Sequence, residues 1–251
     1  MTHTEIDARE SLARLRAGNA RFSSGTTRHP HSDEERRLDL SAGQAPFAAV
    51  LSCADSRVPP EIVFDCGLGD LFVVRSAGQM VDNAVLASLE YAVHELAVPL
   101  ILVLGHEGCG AVAAAEPLKA QRASGAPFAL LPGHLNALAE QISRRLWSDG
   151  GEASVGTRNL PDALEPTSQA RANAAAAMAE VGAHSPLIRA AHEAGNLALA
   201  HAVYDLRTGH VSFTVEDNDN NPSGSALGGR FSSPSSRKPA VKARDSKPGQ
   251  K

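Results

Sequence analysis

Two short stretches of this chain carry the residue types from which metal and proton-transfer sites are built. Asp55 and Arg57 follow Cys53 at alternate positions, and His106 is separated from Cys109 by two residues. Two thiolates and one imidazole are a ligand set typical of zinc, and three protein ligands leave a fourth position open, as in catalytic zinc sites. Asp55 and Arg57 can form a charge-assisted pair that keeps the carboxylate ionised at the edge of such a metal.

The same residues also have an ordinary structural interpretation. A free cysteine is most often a small buried apolar residue, and a single histidine is usually a hydrogen-bonded structural residue. The long gap between Cys53 and His106 has no local pattern, so spacing alone favours neither interpretation. The Asp-x-Arg pair directly after Cys53 favours the metal site.

The surrounding segments alternate between strand and helix patterns, which predicts an α/β fold with a mostly parallel β-sheet flanked by helices. Apolar runs predict five strands, at 47–52, 70–75, 99–105, 197–204 and 211–215. Apolar spacing and capping residues predict helices at 12–22, 85–96 (after Asp82), 111–115, 135–146 and 186–194 (after Ser185). In open α/β sheets ligands bind beyond the carboxyl ends of the strands. If the first and third strands are neighbours, Cys53, His106 and Cys109 converge.

Composition limits the classes of partner and compartment. Three cysteines in 251 residues cannot form a disulfide framework, and no apolar run approaches the ~20 residues that span a bilayer. Seven of 24 basic residues and one of 28 acidic residues follow residue 222, so the preceding body carries a net charge of −10. An acidic body argues against nucleic acid as a partner. We expect a cytoplasmic protein without a membrane partner, because no secretory signal is visible.

Two regions are expected. Residues 1–217 form a single domain, and residues 218–251, rich in Ser, Pro, Gly, Lys and Arg, form a disordered basic tail that cannot bury enough apolar surface to fold.

Three segments give the chain a resemblance to a known family. The stretches CADSRVPPE at 53–61, FDCGLGDLFVVR at 64–75 and GHEGCGAV at 105–112 resemble those of β-class carbonic anhydrases, and EYAV at 90–93 and YDLRTG at 204–209 fit the same family. The likeness runs from about residue 12 to residue 215. The blocks around Cys53 and His106 are together highly specific.

The resemblance implies reversible hydration of carbon dioxide to bicarbonate and a proton. It implies one Zn²⁺ per chain on Cys53, His106 and Cys109, with water or hydroxide completing the coordination. It also implies that Asp55, held ionised by Arg57, orients the attacking hydroxide.

Further positions match the family's substrate pocket and assembly. Gln44 matches a glutamine that reaches the substrate across a dimer interface, so a homodimer or higher homo-oligomer is implied. The other implied substrate-binding positions are Phe72, Ala77, Tyr91 and Gly110.

Some family members close the site with the aspartate and use a bicarbonate pocket built on Trp, Gly and Arg. The matching positions here are Val50, Ser52 and Arg75, so only the arginine is present and the permanently open form is favoured. Cys66 stands where the family commonly has Gln. It is interpreted as a partly buried small residue, with a redox-sensitive thiol or an adventitious metal ligand as alternatives.

Two other functions are compatible with a zinc site at these residues. A relative that hydrolyses carbonyl sulfide or carbon disulfide would use the same zinc and Asp-Arg pair. A non-catalytic zinc-binding module would need neither the pair nor Gln44. Nucleotide binding is excluded, because no G-x-G-x-x-G follows a strand and no Walker A lysine motif is present.

Overall fold

A computed structural model describes residues 6–124, 131–147 and 166–215. The predicted C-terminal tail lies outside these residues.

The predicted sheet is confirmed. Its strands are β1 (Ala48–Ser52), β2 (Leu71–Arg75), β3 (Leu100–His106), β4 (Ala198–Tyr204) and β5 (Val211–Val215). Their order across the sheet is β2-β1-β3-β4-β5; the first four are parallel and β5 is antiparallel to β4. The first and third strands of the chain are therefore neighbours, as the convergence of the cysteine and histidine residues requires.

Eight helices lie in the described ranges. They are α1 (Ala8–Ser23), α2 (Glu34–Asp39), α3 (Pro60–Val63), α4 (Asn83–His94), α5 (Gly110–Ser124), α6 (Leu135–Trp147), α7 (Pro166–His184) and α8 (Pro186–Glu193). Single 3₁₀ turns occur at Leu40–Ala42 and Ala77–Gln79. The predicted N-caps are confirmed: the Asp82 carboxylate accepts from Val85 N at 2.8 Å, and the Ser185 hydroxyl accepts from Ile188 N at 3.1 Å.

Apolar side chains project from both faces of the sheet and are covered by helices, so β1 and β3 are buried throughout. Ala49 and Leu51 of β1 pack in a cluster with α4, α7 and α8, while Ala48 and Val50 pack in a second cluster with α1 and the segment around α3. A third apolar cluster contains Cys53 and Cys109 and is formed mainly by α5 and α6. Side chains from α5 and α6 therefore surround the two cysteines.

Three helices had no sequence prediction, and α7 is the longest of them. Its alanines occupy every side of the helix, so it has no apolar stripe from which a helix could be recognised. The predicted helix at 111–115 is longer than expected, because α5 continues to Ser124. None of the helices in the described residues has the length and apolar character that a membrane span requires.

We predict that Gly18→Ala destabilises the fold. A Cβ at Gly18 in α1 would lie 1.8 Å from the backbone oxygen of Phe64, so helix and loop would have to separate. We expect the free energy of unfolding to fall by about 2 kcal/mol or more, measured by urea denaturation.

Gly182→Ala is the matched control, because its Cβ would meet only Leu199 Cδ1 at 3.7 Å. Within a helix this change should raise the free energy of unfolding by up to about 1 kcal/mol. Equal midpoints for the two variants would contradict the close packing assigned to α1.

Candidate metal centre

Two neighbouring strands bring the cysteine and histidine residues to one edge of the sheet. Cys53 directly follows β1, and His106 is the last residue of β3. Because these strands pair in parallel, their carboxyl ends meet at the same edge. The chain then turns through Gly108, whose φ of 62° is left-handed, and Cys109 immediately precedes α5.

The three potential ligand atoms form one compact group. The two sulfur atoms and a ring nitrogen of His106 all lie within 4.8 Å of one another, and the Cys53 and Cys109 sulfurs are 4.0 Å apart. Both cysteines are free thiols. Two thiolates bound tetrahedrally to one zinc ion would be about 3.8 Å apart, so the spacing fits zinc without rearrangement.

The imidazole of His106 is fixed in the orientation that a metal ligand needs. Its Nδ1 lies 2.9 Å from the backbone oxygen of Glu107, which can only accept, so Nδ1 carries the proton. Nε2 therefore presents a lone pair. It is buried and has no hydrogen-bond partner among the described residues, which is costly unless a metal or water fills the position.

The two thiols differ in their surroundings. The hydrogen bond with Cys109 lowers the pKa of Cys53, and the backbone N–H of Gly78 also donates to Cys53 Sγ at 3.4 Å. The hydrogen bond to Cys53 and burial raise the pKa of Cys109 above its usual range. Cys109 lies at the N-terminus of α5, where backbone N–H groups favour a thiolate. The environment therefore favours a thiolate more strongly at Cys53 than at Cys109, and a divalent cation would stabilise both sulfurs as anions.

An acid-base pair lies beside the cluster on its more exposed side. Asp55 Oδ1 accepts from Arg57 N and Nε, both at 2.9 Å, and Oδ2 accepts from Arg57 Nη2 at 2.7 Å. These hydrogen bonds hold the pKa of Asp55 well below its usual range. Oδ2 also lies 3.9 Å from His106 Nε2, so this carboxylate oxygen faces the potential ligand atoms.

Arg75 fixes the loop that carries both Cys53 and Asp55. From the end of β2 its Nε donates to the Cys53 backbone oxygen at 3.1 Å, and its Nη2 donates to the Asp55 backbone oxygen at 2.6 Å. The ligand and the acid are therefore anchored by one neighbouring strand.

Comparisons with known proteins agree with this geometry. A family model described as carbonic anhydrase matches residues 48–211. The chain is 36% identical over 178 residues to a carbonic anhydrase of Pseudomonas aeruginosa, covering 68% of this chain and 74% of that protein. Its fold resembles a tetrameric β-carbonic anhydrase from Sordaria macrospora, with a TM-score of 0.56 at 24% identity, covering 70% of this chain and 84% of that one. The chain belongs to the β-class carbonic anhydrases.

Similarity is higher over a shorter stretch. The chain is 58% identical over 101 residues to carbonic anhydrase 2 of Mycobacterium tuberculosis, which is 40% of this chain. That match spans about half the length of the relative, 49%.

Gln44, which the family resemblance assigns to the substrate pocket, lies far from the cluster in this chain. It is exposed in the loop that leads into β1, whereas Cys53 follows the opposite end of the same strand. A five-residue strand is about 17 Å long, so the loop that carries Gln44 and the residue Cys53 adjoin opposite edges of the sheet.

The other family pocket positions divide into two groups. Phe72 and Tyr91 contact each other, with ring centroids 6.1 Å apart, and Tyr91 is 49% exposed on α4. Phe72 pairs with Ala49, four residues before Cys53, so this aromatic pair is set back from the carboxyl edge. Ala77 adjoins Gly78, which contacts Cys53, and Gly110 is exposed at the start of α5.

The positions of the family's bicarbonate pocket have other surroundings here. Val50 is buried in the sheet core, and no described residue forms a hydrogen bond with the buried Ser52 hydroxyl. Cys66 is half-buried against the apolar cluster and its thiol donates to Phe64 O at 3.4 Å. Burial raises the pKa of Cys66 to about 12, which suppresses the thiolate that redox chemistry or metal binding would need.

Sequence reasoning missed a buried polar group beside the cluster, formed by Gln79, Arg145, Asn173 and Glu180. Arg145 could have been noticed, because it lies three residues after Ile142 on the apolar side of a helix. Asn173 had no such signal within a run of alanines.

We predict that the wild-type protein binds about one zinc per chain and that Cys53→Ser or Cys109→Ser weakens this binding at least tenfold, because each removes a thiolate. Zinc content by mass spectrometry and competition with a chelator measure both quantities.

Cys66→Ser is the matched control, since it changes the third cysteine and should leave zinc affinity unchanged. Equal zinc affinity in the Cys53 and Cys66 variants would show that the cluster does not hold the metal.

Proposed function

We propose that this protein catalyses the reversible hydration of carbon dioxide to bicarbonate and a proton, with zinc held by Cys53, His106 and Cys109. One observation carries the proposal: the Asp55 carboxylate, fixed by Arg57, lies with Oδ2 3.9 Å from the ligand nitrogen Nε2 of His106. A zinc ion with only a structural role needs no ionised, oriented carboxylate beside it. Membership of the carbonic anhydrase family supports the same reaction.

Zinc, when bound at such a site, supplies a Lewis acid that allows water to lose a proton near neutral pH. Side chains of the protein supply the rest of the proposed chemistry. Asp55 stays ionised, because Arg57 donates to both of its oxygens.

Asp55 Oδ2 has acceptor capacity left after its bond from Arg57 Nη2. An attacking water or hydroxide in the site can donate its O–H to this oxygen. That hydrogen bond fixes the direction of the O–H and turns an oxygen lone pair toward the carbon of the substrate. Asp55 thus orients the nucleophile, and Arg57 and Arg75 orient Asp55.

The apolar surroundings suit an uncharged substrate. Val112, Ala115, Ile142 and Leu146 pack around the two cysteines, and the charged Asp55 carboxylate faces the His106 ligand atom. Carbon dioxide needs no hydrogen-bond donor in order to enter, and bicarbonate carries a charge that this lining does not compensate. The lining therefore favours release of the product.

We further propose that the active assembly is a homodimer or a larger homo-oligomer in which Gln44 completes the site of a neighbouring subunit. Gln44 is exposed at the opposite end of β1 from its own Cys53, so it can serve a site only in a second copy. The exposed ring of Tyr91 and its contact with Phe72 support an apolar surface for that copy. The fold relative from Sordaria macrospora is described as tetrameric.

Asp55→Asn tests the reaction and the role of the carboxylate together. Stopped-flow hydration of carbon dioxide should slow by about 100-fold while zinc content stays at the wild-type level, because an amide is a weaker acceptor that Arg57 cannot hold in the same way.

Asp82→Asn is the control, since asparagine still caps α4 and the residue lies away from the pair. Full activity of Asp55→Asn at full zinc content would remove Asp55 from the mechanism. Wild-type protein with zinc but no hydration on either side of neutral pH would overturn the proposed reaction and favour carbonyl sulfide, carbon disulfide or a non-catalytic zinc site.

Subunit complementation tests the shared site. Gln44→Ala and Asp55→Asn homodimers should each be strongly impaired, but a mixed dimer contains one site with wild-type Asp55 from one chain and wild-type Gln44 from the other. Two affinity tags isolate that dimer, which should recover about half of the wild-type rate. A mixed dimer no faster than the mean of the two homodimers would refute the contribution of Gln44 across the interface.

A further inference from the structure

A turn with unusual backbone geometry lies directly behind Cys53. Within Ala77–Gln79, Gly78 has a φ of 62° and Gln79 a φ of 52°, both in the left-handed region. Glycine adopts this conformation freely, but glutamine does so at a cost and persists there only when its surroundings hold it. The turn is also the source of the N–H that donates to Cys53 Sγ.

Two buried side chains hold the turn in this conformation. Arg145 Nη1 donates to the backbone oxygens of Gly78 and Gln79, both at 3.3 Å, and to Asn173 Oδ1 at 3.1 Å. Asn173 Nδ2 donates to Gly78 O at 3.0 Å and to Gln79 Oε1 at 2.8 Å. Gln79 Nε2 in turn donates to Leu104 O of β3 at 3.1 Å. The turn is thereby tied to α6, α7 and the strand that carries His106.

Burying the Arg145 guanidinium costs the free energy of removing its charge from water. The Arg145 side chain is 1% exposed, and its charge is paired with Glu180 through Nη2 at 2.6 Å. Within the part of the chain that the structure describes, its Nε has no hydrogen-bond partner. An apolar pair of similar size would often stabilise a fold as well or better. Stability alone therefore does not account for a buried arginine that points at two carbonyl groups.

Close packing limits the conformations in which this turn can place the Gly78 N–H beside the Cys53 sulfur. A Cβ at Gly78 would lie 2.6 Å from Ile142 Cδ1 and 3.0 Å from Ala111 Cβ, so the backbone packs closely against α5 and α6. The Gly78 N–H and carbonyl lie in successive peptide planes that meet at its Cα. The hydrogen bonds from Arg145 and Asn173 to the carbonyl, together with this close packing, restrain the rotations that would move the N–H relative to Cys53 Sγ.

We propose that Arg145 is a positioning residue for Cys53: together with Asn173, its guanidinium holds the Gly78–Gln79 turn so that the Gly78 N–H donates to the Cys53 sulfur. This inference rests on the proposed role of Cys53 as a metal ligand. An N–H···S hydrogen bond withdraws electron density from a thiolate, so Arg145 sets how strongly Cys53 donates to the metal. Glu180 neutralises the buried charge and does not contact the turn carbonyls.

Arg145→Lys separates positioning from charge pairing. Lysine can still pair with Glu180, but one ammonium group lacks the planar fork that spans two carbonyl oxygens and Asn173. We expect zinc affinity, measured by chelator competition at neutral pH, to fall about tenfold. The turn then no longer holds the Cys53 sulfur in place, and a thiolate without the Gly78 hydrogen bond keeps its proton more strongly against the metal. In the cobalt-substituted protein the sulfur-to-cobalt charge-transfer band should move to longer wavelength, because the thiolate loses its hydrogen bond.

Two further variants complete the experiment. Asn173→Leu removes the second support of the turn and should shift the band in the same direction, which keeps the inference testable if one variant folds poorly. Met178→Ala is the control for lost stability, since this α7 residue packs in the apolar cluster with α4 and α8. It should leave the band and zinc affinity unchanged.

The cobalt spectra separate a failure of the proposed function from a failure of the positioning role of Arg145. A wild-type protein with no sulfur-to-cobalt band would refute Cys53 and Cys109 as ligands, and with them the proposed function. A normal wild-type band that stays unchanged in Arg145→Lys and Asn173→Leu would overturn the positioning role alone. An equal shift in Met178→Ala would also overturn it, because the effect would then follow from general destabilisation.

Discussion

The parallel pairing of β1 with β3 is the constraint on which the rest of the structure depends. Leu51 pairs with Val103 and Ser52 with Leu104, so Cys53 and His106 emerge next to each other at one edge. Both strands are buried on both faces, and a slip by one residue would exchange the side chains that meet the two helical layers. Core packing therefore fixes the register, and the register fixes the distance between residues far apart in sequence.

The two sides of this edge of the sheet differ in polarity. The ligand atoms are buried, with Cys53 and Cys109 4% and 6% exposed, and α5 and α6 cover them with apolar side chains. Arg57 and Asp55 lie toward solvent on the other side. An ion held by the cluster would meet a charged, oriented acceptor in the direction from which water and substrate arrive. The apolar covering also strengthens electrostatic interactions within the site, since less water screens them.

The sequence predicted the parts whose signals are local. The β1 and β3 strands are continuous apolar runs, the Asp55–Arg57 pair lies two residues apart, and the caps of α4 and α8 follow known preferences. The α7 helix was not predicted, because an alanine-rich helix packed against the sheet lacks the alternation of apolar and polar sides that reveals a helical period. The placement of Gln44 before β1 and of Cys53 after it is likewise local. The contact of Gln44 with a second subunit stays a prediction, because it depends on how two chains assemble.

The network around Arg145 was missed for a deeper reason. Its members come from a turn, from α6 and from α7, and its partners are main-chain carbonyls, which any residue type supplies. Only tertiary packing shows that the carbonyl of Gly78 points at a buried guanidinium while its N–H points at a sulfur. Residue types at a metal site can be recognised in the sequence, because the metal selects them. The groups that set the donor strength of those ligands are selected by geometry, so they become visible only when the backbone around the ligands is known.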